Sequence, residues 1–223
     1  MNKKTSIKKS ESQKAKKERA REIVSILEEE YPKARCHLDY ESALELLIGC
    51  ILSAQCTDKM VNTVTPGLFE KYPTAAHFSR ADRLELEDEI HSCGFFRAKA
   101  KSIIGCATAL AEDHDGVVPK TMDELTKLAG VGRKTANVVL GNYYGVPGII
   151  VDTHIKRLSN RLNLTQNSDP TKIEFDLHKL IPEEKWTFFS NSLGDHGRTV
   201  CFARKPKCDD CAVSHLCPSA GKV

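Results

Sequence analysis

Two glycines one residue apart, Gly130 and Gly132, separate two apolar helical patterns and constrain the middle of the chain more than any other feature. Upstream, TMDELTKLAG offers Thr121 as an N-cap with Glu124 three residues on, apolar Met122, Leu125 and Leu128, and a glycine where the helix should stop. Downstream, KTANVVLGNYYG resumes helical spacing at Ala136, Val139, Leu140 and Tyr143, so residues 121–142 read as helix, tight turn, helix. The glycines allow backbone to pass close to a ligand, and the second helix opens with unpaired N–H groups and a positive dipole end, which suits a phosphate. Lys134 stands near that opening, where dipole and partial burial are both expected to disfavour the ammonium form and favour a nucleophilic amine. A glycine turn between helices is often only a turn, so the stretch alone does not fix a function.

The rest of the chain repeats the helical theme. Apolar spacing starts near Ala20 and runs to Tyr31-Pro32, and a second helix from Glu41 to about Ala54 is apolar on nearly every side, which makes it central to its domain. Thr57-Asp58 caps a third, and shorter helical segments lead to Gly94. A long helix then opens with Arg97, Lys99 and Lys101. Beyond the glycine turn, VPGIIVD alone has strand character, and its Pro147-Gly148 reads as a connector. Asp152 can cap the helix that follows, and two more helical stretches lead to the C-terminal region. About ten helices and no convincing sheet predict an all-α fold.

Charge is distributed unevenly. The net +3 conceals +7 in residues 1–21, which leaves −4 for the remainder. Any attraction to nucleic acid must therefore come from local patches and from residues 1–17, read as a disordered basic arm that either solubilises or attracts DNA. The longest apolar run, Ala43 to Ala54, is far short of the roughly 20 residues that a membrane span needs, and the polar N-terminus lacks a signal peptide's apolar core. A cytoplasmic, reducing location without membrane contact is expected.

Of nine cysteines, Cys36, Cys50, Cys56, Cys93 and Cys106 are scattered and read as small hydrophobes. The other four, Cys201, Cys208, Cys211 and Cys217, follow the spacing Cys-x6-Cys-x2-Cys-x5-Cys. Four thiolates so close in sequence can wrap one metal centre, zinc or an iron–sulfur cube. Proline after the last cysteine leans toward the cube, and spacing leaves both open. The loop between the first two cysteines carries Arg204, Lys205 and Lys207, cations that a metal-tied loop would hold in place for phosphates.

Taken together, LAGVGRKTANVVL, VDTHIKRLSNRL, LLIGCILSAQCTD and the cysteine pattern of CFARKPKCDDC with HLC resemble the endonuclease III family of the helix-hairpin-helix superfamily, from about Ala20 to Pro218. The resemblance implies a bifunctional DNA glycosylase and apurinic/apyrimidinic lyase, with Lys134 as Schiff-base nucleophile, Asp152 as its catalytic partner and the late cysteines as ligands of a [4Fe-4S] cluster on a loop over 201–217. It implies two helical domains that grip DNA at a cleft: a six-helix unit over 36–145, and a cluster domain made of an N-terminal helix, 18–35, with 146–223. It also implies DNA contacts from Gly130, Val131, Gly132, Arg133, Arg204, Lys205 and Lys207. Gln55 and, by local context only, Phe95 match the residues that the family inserts into the gap left by a flipped base. The implied partner is double-stranded DNA containing damaged pyrimidines or abasic sites, met by a monomer.

Ala129 departs from the proline usual before the first hairpin glycine, which loosens the turn without removing the glycines or the lysine. Related adenine glycosylases lack the lysine and usually carry a further C-terminal domain, whereas here Lys134 is present and the sequence ends at Val223. The expected reaction is attack of Lys134 on C1′ of the flipped nucleotide, loss of the base and β-elimination of the 3′ phosphate from the imine. Asp152 would balance the positive charge that develops. Two rivals stay open on sequence: a monofunctional glycosylase in which water attacks, and a non-enzymatic DNA clamp.

Overall fold

A computed structural model of the protein describes residues 11–223, and among these every regular element is helical. The chain divides into two compact units: Cys36–Val146, and the described residues up to Arg35 joined by Pro147–Val223.

The Cys36–Val146 unit is built on α2, Ala43–Leu52, whose Ala43, Leu46, Leu47, Ile48, Cys50, Ile51 and Leu52 are all buried. Such a helix has no polar face to show water and must be surrounded. Ser42 caps it by accepting from the Glu45 N–H at 3.2 Å, and α3 (Asp58–Lys71), α6 (Phe96–Asp113) and α8 (Arg133–Asn142) pack against it. Two short helices, α4 (Ala75–Ser79) and α5 (Arg83–Glu89), cover α6, which buries Ala100, Ile103, Cys106, Ala107 and Leu110. A 3-10 turn, His91–Cys93, and Gly94 lead into α6. The helix before the glycine turn is shorter than its pattern implied. α7 spans Met122–Leu125 only, because Thr126, Lys127 and Leu128 tighten into i→i+3 and i→i+4 turns ahead of Gly130.

The other unit starts with α1, Gln13–Glu30. The expected arm over 1–17 is corrected here for its described part: residues 13–17 are helical, and residues 1–10 lie outside the described residues. The helix begins well before Ala20 because Ser12 caps it, and because Arg19 grips Glu11 through Nε and Nη2 at 2.8 Å each while its Nη1 donates to Leu162 O at 2.8 Å. These contacts stabilise a helical start that has no apolar signal of its own. α9 (Thr153–Arg161), α10 (Pro170–His178) and α11 (Trp186–Thr199) complete the bundle around Ile23, Leu27, Ile155, Leu158, Ile173, Phe189 and Leu193. The VPGIIVD stretch forms no strand. It runs extended along α11, where the Ile150 N–H donates to Ser190 Oγ at 2.9 Å.

Candidate functional site

In the Cys36–Val146 unit the glycine turn is set by one steric fact. Gly130 has φ +75, and a Cβ there would stand 2.7 Å from the Cβ of Ser102 on α6, so the turn is seated against α6 in a conformation only glycine takes without strain. Gly132 is different: its φ is −95 and a Cβ would meet nothing within 4 Å. Val131 between them is buried and anchors the turn. Gly132 is the N-cap of α8 and brings no side chain to cap that helix, whose start carries the positive end of the dipole, a setting that suits an anion.

Arg133 and Lys134 are the first two residues of α8. Lys134 is exposed, which corrects the expectation of partial burial and leaves its position at the helix start as the local feature that sets it apart. Burial raises the proton affinity of the Cys50 thiol of α2, and the Lys134 charge opposes that while Asp58 at the start of α3 adds to it. Gln55 and Phe95 share a conformation. They are two of five non-glycine residues with positive φ among the described residues, at 54° and 49°, and both are exposed. A phenylalanine 64% exposed in the left-handed region is strained twice, by backbone and by solvation, and such strain collects at functional positions.

In the other unit Asp152 caps α9, its Oδ1 accepting from the Ile155 N–H at 2.8 Å. The cap occupies one carboxylate oxygen and leaves Oδ2 for another partner. Asp152 is half-buried, and its charge raises the proton affinity of His154 against the larger effect of burial, which lowers it.

The four late cysteines line one pocket that is partly open to solvent, with Arg161 and Lys207 also in its wall. All four thiols are free, and among the described residues no three His, Cys, Asp or Glu side chains close on a common point at single-ion distance. Burial pushes the Cys211 thiol up to about 11 and raises Cys217, and metal binding to such thiols releases their protons. The loop is tied down from α9 and α11. Arg161 Nη1 donates to Cys201 Sγ at 3.3 Å and Phe202 O at 2.6 Å, its Nη2 to Ala203 O at 2.8 Å, and Arg157 Nη2 to Cys201 O at 2.9 Å. His196 Nε2 lies 3.4 Å from Cys211 Sγ, and its Nδ1 3.0 Å from the Tyr31 hydroxyl. Arg204, Lys205 and Lys207 are exposed on this loop, Lys205 at φ 52 and the Lys207 ammonium 5.6 Å above the Phe202 ring.

Sequence reasoning passed over Arg157, Arg161 and His196. The first two recur at i and i+4 on α9, a one-face spacing that signals a shared target. Nothing local marks His196, whose importance comes from contacts distant in sequence.

Residues 48–183 match the model of the HhH-GPD superfamily of base excision DNA repair proteins. A protein of Synechocystis sp. named Endonuclease III is 55% identical over 207 residues, which span 92% of this chain and 94% of the relative. A non-covalent Endonuclease III–DNA complex superposes with a TM-score of 0.87 at 41% identity, over 92% of this chain and 96% of that one. A trapped Endonuclease III–DNA covalent intermediate does so with a TM-score of 0.88 at the same identity and the same coverage. Identity of this extent across nearly the whole chain means that the chain belongs to the endonuclease III family, the DNA glycosylases and AP lyases of base excision repair.

Proposed function

We propose that Lys134 is the amine that makes this chain a lyase, that Asp152 is its carboxylate partner, and that the substrate is double-stranded DNA carrying damaged pyrimidines or abasic sites, bound by a monomer in the cytoplasm. The observation that carries the reading is Lys134 itself, an exposed lysine in the first turn of a helix whose N-cap, Gly132, has no side chain, directly behind the glycine turn. That endonuclease III has been trapped in a covalent intermediate with DNA supports an amine in this role.

The damaged nucleotide leaves the stack, and Gln55 and Phe95 enter the space it vacates. Phosphates on either side are held by the N–H groups of the Gly130–Arg133 turn and by Arg204, Lys205 and Lys207. The neutral amine of Lys134 attacks C1′, the C1′–N bond to the base breaks, and the base leaves with the electron pair and a proton. Opening of the sugar gives an imine between Nζ and C1′. Loss of a 2′ proton then expels the 3′ phosphate. Asp152, held by its cap with one oxygen uncommitted, stabilises the positive charge that grows on the sugar and on Nζ as the first bond breaks.

The same reading makes the four cysteines ligands of a [4Fe-4S] cluster: all four line one pocket, and such a cube takes one thiolate per iron. When bound, the cluster supplies a rigid cross-link among Cys201, Cys208, Cys211 and Cys217. The residues of the chain do the rest: Arg157 and Arg161 hold the backbone of 201–203, and the loop presents its three cations.

Reduction with borohydride during turnover on an abasic duplex, followed by peptide mapping, tests the nucleophile. The expected adduct lies on Lys134. An adduct on Lys59 or on the N-terminal amine would overturn the assignment. Purified protein should be yellow-brown with broad absorbance near ~400 nm, lost in Cys208→Ala; colourless protein with stoichiometric zinc would exclude the cluster.

A further inference from the structure

Lys99 lies in the first turn of α6, yet it is only 5% exposed. A buried ammonium is expensive, and its electrostatic neighbours are the thiols of Cys56 and Cys93 rather than a carboxylate. What it has instead is two backbone carbonyls: Nζ donates to Leu52 O at 2.7 Å and to Cys93 O at 2.9 Å. Leu52 ends α2 and Cys93 ends the 3-10 turn, so one cation closes two C-terminal ends where carbonyls lack helical partners and the dipole is negative. A methionine would fill the same volume without the desolvation cost, so the ammonium is there for its reach and charge.

The chain that follows each carbonyl is short. Ser53-Ala54 separate Leu52 from Gln55, and Gly94 alone separates Cys93 from Phe95. Both destinations are exposed and in the left-handed region, at φ 54 and φ 49, and therefore need support from below. The support is shared: two strained side chains from separate loops hang from one buried cation.

We propose that Lys99 is the positioning residue that locks the Gln55 and Phe95 loops to each other, so that the two side chains enter the gap in a duplex as one preset unit. The proposal rests on the reading of Gln55 and Phe95 as gap-filling residues. Lys99 touches no DNA; it acts through the backbone of both loops.

The test compares substrates with and without an opposing strand. Lys99→Met should slow single-turnover excision of a damaged pyrimidine from duplex by at least ~10-fold, since misplacement of about an ångström costs that much or more. It should abolish the fluorescence change of 2-aminopurine placed opposite an abasic site. Borohydride trapping on a single-stranded abasic oligonucleotide, which offers no gap to fill, should stay within about twofold of the parent. Lys99→Arg, which restores donors, should recover most of the duplex rate, and adding Gln55→Ala to Lys99→Met should cost little more because both act through one loop. If Lys99→Met does not fold, Lys99→Gln with Lys99→Arg carries the same comparison. Equal losses on both substrates, or an unchanged duplex rate, would overturn the proposal. Gln55→Ala alone separates the two failures: if it leaves duplex excision intact, the gap-filling reading falls and the clamp with it; if it slows excision while Lys99→Met does not, only the clamp falls.

Discussion

Two helix starts, α8 and α9, solve the same problem in opposite ways. Each has N–H groups in its first turn without intrahelical partners. At α9 the side chain of Asp152 satisfies one of them and brings a negative charge to the positive end of the dipole. At α8 the N-cap is Gly132, which has no side chain to offer, and the next two residues are cations. A start that places Arg133 and Lys134 against its own dipole forgoes stability of about 0.3–1 kcal/mol per charge. The contrast separates two uses of a helix start: α9 is capped by a carboxylate that it holds still, while α8 begins at a glycine without a side-chain cap and fits the proposed phosphate contact.

The sharpest break of this contrast removes the cation that α8 tolerates. Lys134→Ala should lose borohydride trapping and strand cleavage entirely, while affinity for an abasic duplex falls little, because the open N–H groups and the Arg204 loop still hold phosphates. Loss of binding in step with activity would make Lys134 a phosphate contact. Next in size is the closed start. Asp152→Asn keeps an oxygen for the Ile155 N–H, so the melting temperature should barely move, yet base excision should fall by at least ~100-fold through the missing charge. An Asp152→Asn protein that unfolds early but cleaves normally would reduce the carboxylate to a cap.

How much of this was legible in sequence follows from how local each feature is. The glycine turn, the caps at Thr121 and Asp152 and the cysteine spacing are written within a few neighbouring residues, and each can be read there. Burial is a property of the whole unit, so the sequence misjudged Lys134, taken as partly buried, and Lys99, taken as one of three basic residues opening a helix. A closer reading of α6 would have found the second: Lys99 lies on the same helical face as Ile103, Cys106 and Leu110, all buried. The early start of α1 was hidden for a different reason. Its first turns carry no apolar stripe, and what stabilises them is Arg19, reaching Glu11 locally and Leu162 across most of the chain. Arg157, Arg161 and His196 likewise grip a loop 15 to 44 residues away, through contacts that no local pattern encodes.

Closing α8 by design gives a smaller, more discriminating effect. Gly132 has ordinary φ and open space around its Cβ position, so Gly132→Asp should fold with stability changed by no more than a few tenths of a kcal/mol. Its carboxylate would occupy the N–H groups and repel phosphate, and duplex affinity should drop on the order of tenfold at low salt. Gly130→Ala should do the reverse. At φ +75 and 2.7 Å from Ser102 it strains the turn itself, at a cost of order 1–3 kcal/mol, visible as a lower melting temperature before any change in the chemistry. If both substitutions lowered stability equally, the distinction between a structural and a functional glycine would be lost.

The smallest effect concerns the residues before α1. With the helix beginning at Gln13, the whole of 1–17 can no longer be deleted without cutting into the fold, and the meaningful truncation ends at residue 10. That segment contains four lysines. Each lysine that displaces a counterion from duplex DNA contributes about 0.9 to the slope of log K against log salt, so truncation should flatten the slope by at most about that much per lysine engaged. Affinity at low salt should fall a few-fold, while the ratio of affinities for damaged and undamaged duplex stays constant, because phosphate contacts carry no sequence information. Measuring the slope rather than a single affinity is essential, since a loss of α1 stability would weaken binding at every salt concentration alike. A parallel shift would therefore assign the effect to the helix, and a changed slope to the lysines ahead of it.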